Sequence, residues 1–228
     1  MLKAAIVDID GTLIDSVDFQ AEAWLRALHI FGHHDVRFEE VRSQIGKGGD
    51  ELLPVFMSKP EIARVGKDLE KYRTELFRRE YMDRIQPFPK VRELFLRLKS
   101  DGFKLALASS SNKEDLEVYK RIADIEDLLE ADTSADDAEK SKPHPDIFAA
   151  ALKRLGDVKA DEAVVTGDSP YDAEAAKKLG IVEITGVLCG GFPEADLRKA
   201  GCTAIFRDPA DILAHYEASA FARRRKAA

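Results

Sequence analysis

Three short apolar runs recur along the chain, and each ends in small polar or acidic residues. Residues 3–9 read KAAIVDI and run into Asp8-Ile9-Asp10-Gly11-Thr12. Residues 104–108 read KLALA and end in Ser109-Ser110-Ser111-Asn112, and residues 163–166 read AVVT and end in Gly167-Asp168-Ser169-Pro170. Continuous apolar runs closed by Gly, Ser or Asp suit strands buried on both faces of a parallel sheet. Helical patterns follow the last two runs at once, as alternating β and α units require. Weaker strand signals lie at 127–131, 181–188 and 202–206. Helices are predicted at 89–100, 113–123, 145–155, 170–179 and 209–216.

The stretch 15–85 has a different period. Ala21, Trp24, Leu25, Leu28 and Phe31 recur at helical spacing, and 61–81 is a long, charged amphipathic pattern. Gly46-Lys47-Gly48-Gly49 interrupts it as a loop. With no strong strand signal there, the expected fold is α/β: a Rossmann-like parallel sheet core with helices on both faces, plus a small all-helical cap inserted after the first strand. The core would comprise 1–14 and 86–228, and the cap 15–85.

Composition narrows the function classes. Hydrophobic residues make up 45% of 228, enough for a packed globular core rather than a disordered chain. The formal net charge of −7 argues against nucleic acid or an anionic membrane as the main partner. The first apolar run is too short for a signal-peptide core or a membrane span. Cys189 and Cys202 form no C-x-x-C pair, so the expected location is a reducing cytoplasm. The terminal run Arg223-Arg224-Arg225-Lys226 is expected to be a solvated end. Nothing in the pattern sets an oligomeric state.

The chemistry concentrates at the strand ends, where open parallel sheets bind ligands. Asp8 and Asp10 flank Ile9, so alternation along the strand puts both carboxylates on one side. Two such charges need a metal, a shared proton or a nearby cation. The string Asp8-Ile9-Asp10-Gly11-Thr12-Leu13 resembles the first motif of the haloacid dehalogenase-like (HAD) superfamily of hydrolases. Ser109 stands where the second motif has its hydroxyl. Lys142, in Lys142-Pro143-His144-Pro145, stands where the third has its lysine, and Gly167-Asp168-Ser169-Pro170-Tyr171-Asp172 matches the last, G-D-x-x-x-D. All four occur in family order over nearly the whole chain.

That resemblance implies a phosphatase acting on a small phosphorylated metabolite. Asp8 would be the nucleophile forming an aspartyl-phosphate, and Asp10 the general acid/base. Mg²⁺ would be the cofactor, held by Asp8, the backbone carbonyl of Asp10, and Asp168. Lys142, Ser109 and Thr12 would face the phosphate, Thr12 also ordering its turn. Asp172 reads either as the Ser169 helix cap or as a group behind the metal. Ser110 and Ser111 share that ambiguity, since Ser111 with Glu114 also fits a cap; Asp15-Ser16 read as a helix cap; His33-His34 lack a third metal ligand; Trp24 reads as cap core.

Asp10 separates this chain from haloacid dehalogenases and phosphonoacetaldehyde hydrolases, which lack it. The insert matches the helical cap of phosphoglycolate phosphatases and β-phosphoglucomutases. Such mutases usually carry a His where this chain has Gln20 and an Arg in the loop that here reads Gly46-Lys47-Gly48-Gly49-Asp50. Both departures favour a phosphatase over the alternative, a sugar-phosphate mutase. A non-catalytic phospho-accepting module fits less well, because such modules lack the insert and the second Asp. Within the cap loop, Lys47 is expected to meet the leaving group, with Gly48 and Gly49 permitting close backbone approach.

Overall fold

The computed structural model describes residues 1–222; the basic run at 223–226 lies outside them. Six strands form one parallel sheet: β1 (Ala4–Val7), β2 (Lys104–Ala108), β3 (Ala131–Thr133), β4 (Ala163–Gly167), β5 (Glu183–Val187) and β6 (Ala204–Phe206). Their spatial order is β3-β2-β1-β4-β5-β6. The order reverses between β1 and β4, whose register pairs Ala4 with Ala163 and Val7 with Thr166. That reversal opens a crevice at their carboxyl ends, where ligands bind in doubly wound sheets.

Side-chain alternation along β1 builds both layers. Ala5 and Val7 pack with Leu94 and Phe95 of α5 (Val91–Ser100), Leu116 and Tyr119 of α6 (Lys113–Ala123), and Ile212. Ala4 and Ile6 face the other way, onto Phe148 of α7 (Asp146–Leu155), Ala176 of α8 (Pro170–Lys178) and Leu197 of α9 (Glu194–Ala200). Ile212 belongs to the short α10 (Pro209–Ala214). Both faces of the sheet are therefore covered, which is why its central strands read as unbroken apolar runs.

The strand expected at 127–131 differs from the structure. Glu126–Leu128 forms a 3-10 turn instead, and the strand starts at Ala131. Leu128 is buried in the core, so the apolar signal there marks packing rather than pairing.

Between β1 and α5 lie α1 (Val17–Ile30), α2 (Phe38–Arg42), α3 (Gly49–Phe56) and α4 (Lys59–Glu80). They share their own apolar cluster, in which Trp24 and Leu28 of α1 meet Leu52 and Leu53 of α3 and Leu69 of α4. Two adjacent strands of chain carry this block. Asp15 N donates to Gln86 O at 2.9 Å and Phe88 N to Leu13 O at 2.9 Å, so the chain leaves and returns side by side.

Candidate active site

The turn after β1 places the first two carboxylates. Ile9 O accepts from the amides of Thr12, Leu13 and Ile14, which folds the chain back immediately after Asp10. Gly11 takes a φ of 74°, and a Cβ there would come within 2.6 Å of Asp168 Oδ2. Only glycine satisfies both the left-handed backbone and that approach. Thr12 Oγ1 lies 3.0 Å from Asp8 Oδ2 and 3.1 Å from Asp168 Oδ1, so its hydroxyl ties the ends of β1 and β4 together.

Behind them sits Lys142, fully buried. Its Nζ pairs with Asp8 Oδ1 and, at 2.7 Å, with Asp172 Oδ1. The other oxygen of Asp172 accepts from Ser169 Oγ at 2.6 Å and Ser169 N at 3.2 Å, closing the N-terminal cap of α8. Asp172 thus caps its helix with one oxygen and holds Lys142 with the other.

Among the described residues, Asp8, Asp168 and Asp172 form a buried acidic group whose oxygens lie within 4.8 Å of one another. Burial pushes the Asp8 carboxyl up to about 7, against the pull of Lys142. Burial, reinforced by Asp8 and Asp172, pushes Asp168 well above the usual range. Burial disfavours the Lys142 ammonium, yet the charges of Asp172 and Asp8 outweigh it and raise its pKa. One ammonium does not neutralise three carboxylates, so this hard-oxygen set fits a divalent cation.

Asp10 stands apart from that group and is held by neutral donors. Ser16 Oγ donates to its Oδ1 at 2.6 Å, Gln20 Nε2 to the same oxygen at 3.0 Å, and Ser111 Oγ to Oδ2 at 2.8 Å. The sequence predicts Ser16 as a helix cap and leaves Ser111 open between a cap and the site. Neither caps a helix: Ser16 makes no such bond, and Asn112 caps α6 by accepting from Asp115 N at 2.9 Å. Both hydroxyls orient Asp10.

Asp8 and Asp10 open onto a cavity of about 170 Å³. Drug-sized ligands occupy pockets of roughly 300–1,000 Å³, so this one suits a small metabolite. Its far wall comes from the helical block: Trp24, Glu70, Arg73 and the loop at 45–49. The Arg73 guanidinium lies 4.9 Å over the Trp24 ring and bonds Gln20 Oε1, while its Nε has no hydrogen-bond partner.

Comparison with known proteins now decides the family. The family described as haloacid dehalogenase-like hydrolase matches residues 2–180. The chain belongs to this family. The hydrolase is 33% identical over 214 residues to a phosphorylated carbohydrates phosphatase of Thermotoga maritima, covering 93% of this chain and 97% of that protein. It is 28% identical to a phosphoglycolate phosphatase of Nitrosospira multiformis, over 90% and 91% of the two chains. In structure it resembles a hydrolase from Pseudomonas syringae, with a TM-score of 0.84, 27% identity and coverage of 95% and 98%. This member of the family is a phosphatase.

Some motif residues of the hydrolase sit differently from expectation. Ser109 is fully buried, and its Oγ accepts from Ser111 N at 3.0 Å. Lys47 lines the cavity, but its Nζ donates to Gln44 Oε1 at 2.6 Å and lies 4.7 Å over the Tyr171 ring. Gly48 and Gly49 also line it, and a Cβ on Gly49 would strike Glu70 Oε1. Glycine at 49 therefore serves the packing of α3 on α4 as much as the opening.

Arg73 and Glu70 carry no motif, and the sequence marks Gln20 only as a departure from the mutase histidine and Ser16 only as a cap. Ser16 and Gln20 stand four apart at the start of α1, a spacing that aims both at one point. Arg73 gives no such signal, because α4 is studded with arginines and only packing selects one of them.

Proposed function

We infer that this phosphatase hydrolyses a small phosphate monoester in two displacements at Asp8, with Mg²⁺ as cofactor. The observation that carries the reading is the pairing of two differently furnished carboxylates two residues apart. Asp8 sits with Lys142, Thr12 and the acidic partners Asp168 and Asp172. Asp10 sits one turn away among hydroxyl and amide donors, facing the cavity. Paired groups in contrasting surroundings are how one site supports a nucleophile and an acid/base.

In this reading Asp8 attacks phosphorus, forming an acyl-phosphate bond as the bond to the leaving oxygen breaks. Asp10 delivers a proton to that oxygen, then removes one from the water that attacks the phosphoryl group and frees Asp8. Lys142 offsets charge on Asp8 and on a phosphoryl oxygen. Ser109 contributes a donor from the end of β2, and Thr12 keeps Asp8 and Asp168 in register. Asp8, Asp168 and the backbone carbonyl of Asp10 would hold Mg²⁺, with Asp172 behind them. When bound, the ion screens the phosphate from the carboxylates and polarises its oxygens.

Residues 15–85 act as a cap over a core made of 1–14 and 86–228, and the cavity wall from α1, α3 and α4 contacts the leaving group. The substrate is a small phosphorylated metabolite, a sugar phosphate or phosphoglycolate being of suitable size for the cavity. Neither nucleic acid nor a membrane is its partner. Among the described residues no helix is long and apolar enough to cross one. Both thiols are free, consistent with a cytoplasmic placement.

Turnover of 4-nitrophenyl phosphate tests the reading. Activity should require Mg²⁺, stop in excess EDTA, and disappear in Asp8→Asn; activity that survives either change contradicts it. A coupled isomerisation assay with a bisphosphate activator should show no mutase activity.

A further inference from the structure

The loop that carries Lys142 has little structure of its own. Residues 138–145 form no helix or strand, yet they hold a buried lysine against Asp8 and Asp172. Local contacts account for part of this: Lys140 N donates to Asp146 Oδ2 at 3.1 Å, and Lys178 Nζ to Pro143 O at 2.7 Å. The residue immediately before Lys142 is fixed from elsewhere. Asp50, in the first turn of α3, accepts from Ser141 N at 3.0 Å with Oδ2 and from Ser141 Oγ at 2.5 Å with Oδ1.

Ser141 Oγ also accepts from Gly48 N at 2.9 Å. Every polar group that Ser141 offers toward α3 is therefore matched, and the residue is buried. A Cβ at Gly48 would lie 2.7 Å from Ser141 Cβ and 2.8 Å from Asp50 Oδ1, so this approach demands glycine. Glu51 adds a neighbouring contact, its Oε1 lying 3.2 Å from His144 Nε2. The start of α3 grips the chain on both sides of Lys142.

We propose that Asp50 is a positioning residue that couples the seating of the helical block to the placement of Lys142. This rests on the phosphatase reading above. A carboxylate that accepts two bonds from one residue fixes that residue in direction as well as distance. Lys142 follows Ser141 directly, so the direction of its side chain is set by the same clamp. With the block displaced, Asp50 and Gly48 leave, and Lys142 loses the support that aims it at Asp8. The carboxylate then faces phosphate without its aligned cation. Substrate enclosure and readiness of the nucleophile are in this way one event.

The test compares wild type with Asp50→Asn, Asp50→Ala and Ser141→Ala in the full chain with Mg²⁺. Alanine removes both acceptors and breaks the clamp, whereas asparagine can keep its oxygen on Ser141 N and donate its NH₂ to Ser141 Oγ, so it should stay closer to wild type. Three readouts apply: kcat and KM for 4-nitrophenyl phosphate, inhibition by orthovanadate, and acetylation of Lys142 by acetic anhydride followed by peptide mass spectrometry. Circular dichroism confirms that each variant is folded. For Asp50→Ala the expected result is a kcat lower by about tenfold with KM little changed, vanadate inhibition weakened by a similar factor, and faster acetylation of Lys142. Ser141→Ala, which keeps the N–H bond to Asp50, should fall between it and wild type.

A change confined to KM, with vanadate inhibition and Lys142 protection as in wild type, would overturn the proposal and leave Asp50 as a docking contact. Loss of the phosphatase reading is separable, because it appears as persistent turnover in Asp8→Asn. The acetylation readout needs no turnover and decides the clamp in that case too.

Discussion

The carboxyl end of the sheet and the helical wall above it solve different problems with different materials. At the sheet, Asp8, Asp168, Asp172 and Lys142 are buried charges held by one another, and every one leaves a short turn directly after a strand or opens a helix or loop. On the wall, Gln20, Trp24, Glu70 and Arg73 come from two long helices and are fixed by packing across the block. The first arrangement is stiff and built for one chemical group. The second touches the first at few points, chiefly Gln20 on Asp10 and Asp50 on Ser141, and can vary elsewhere without disturbing it. On the proposed function, chemistry common to many substrates belongs to the sheet end, and choice among them to the wall.

Substitutions on the two sides should differ in kind as well as size. The largest effect is expected at Asp8. Asp8→Asn should lower turnover by on the order of 10⁴-fold on every phosphate ester tested; steady-state kinetics on several esters check this, and a loss limited to one substrate would blur the division. Asp10→Asn should cost about 10²–10⁴-fold, again with all substrates, and least with esters whose leaving group needs no proton. A uniform loss across leaving groups of different acidity would remove Asp10 from the acid role.

Lys142→Met probes stability at the same end. It leaves Asp8 and Asp172 buried without their cation, which should cost about 3–5 kcal/mol in urea unfolding of the metal-free protein. An unchanged midpoint would mean that these buried charges are compensated elsewhere.

On the wall, Gln20→Leu removes one of three donors to Asp10 and the contact to Arg73. It should lower kcat by about tenfold while leaving Mg²⁺ affinity unchanged, measured by metal titration of activity. Lys47→Ala should have the smallest effect, about two- to threefold, and only in the ranking of substrates, since its ammonium is engaged with Gln44 and Tyr171. Equal losses on every substrate would place Lys47 with the sheet residues instead.

The same contrast explains what could be read in advance. The sheet, its buried strands and the four motif positions are local patterns: an apolar run and the turn that ends it lie within about ten residues of each other. Asp8, Asp10 and Asp168 are visible for that reason, while Lys142 is visible only through its Lys-Pro-His-Pro setting in the order of the family motifs. The wall is assembled across long sequence separations. Arg73 meets Gln20 across 53 residues, and Asp50 meets Ser141 across 91. Helical periodicity announces that α1 and α4 have an apolar face, but not which polar side chain on the rim points into the cavity. Ser16 and Ser111 show a related limit. Their positions fit helix capping by local rules, and only the placement of Asp10 between them turns both hydroxyls to another use. The strand anticipated at 127–131 is displaced on similar grounds, as Leu128 serves the core from a 3-10 turn and pairing begins only at Ala131.

A covalent phosphoryl group at Asp8 is the central step of the proposed reaction. The most direct measurement is to mix the Mg²⁺-loaded enzyme with excess 4-nitrophenyl phosphate, quench during turnover, reduce with borohydride and map the peptides by mass spectrometry. An acyl-phosphate at Asp8 is reduced to an alcohol, so homoserine should appear at position 8 and depend on both substrate and Mg²⁺. Turnover that proceeds with Asp8 unreduced, or homoserine found at another aspartate, would contradict the account.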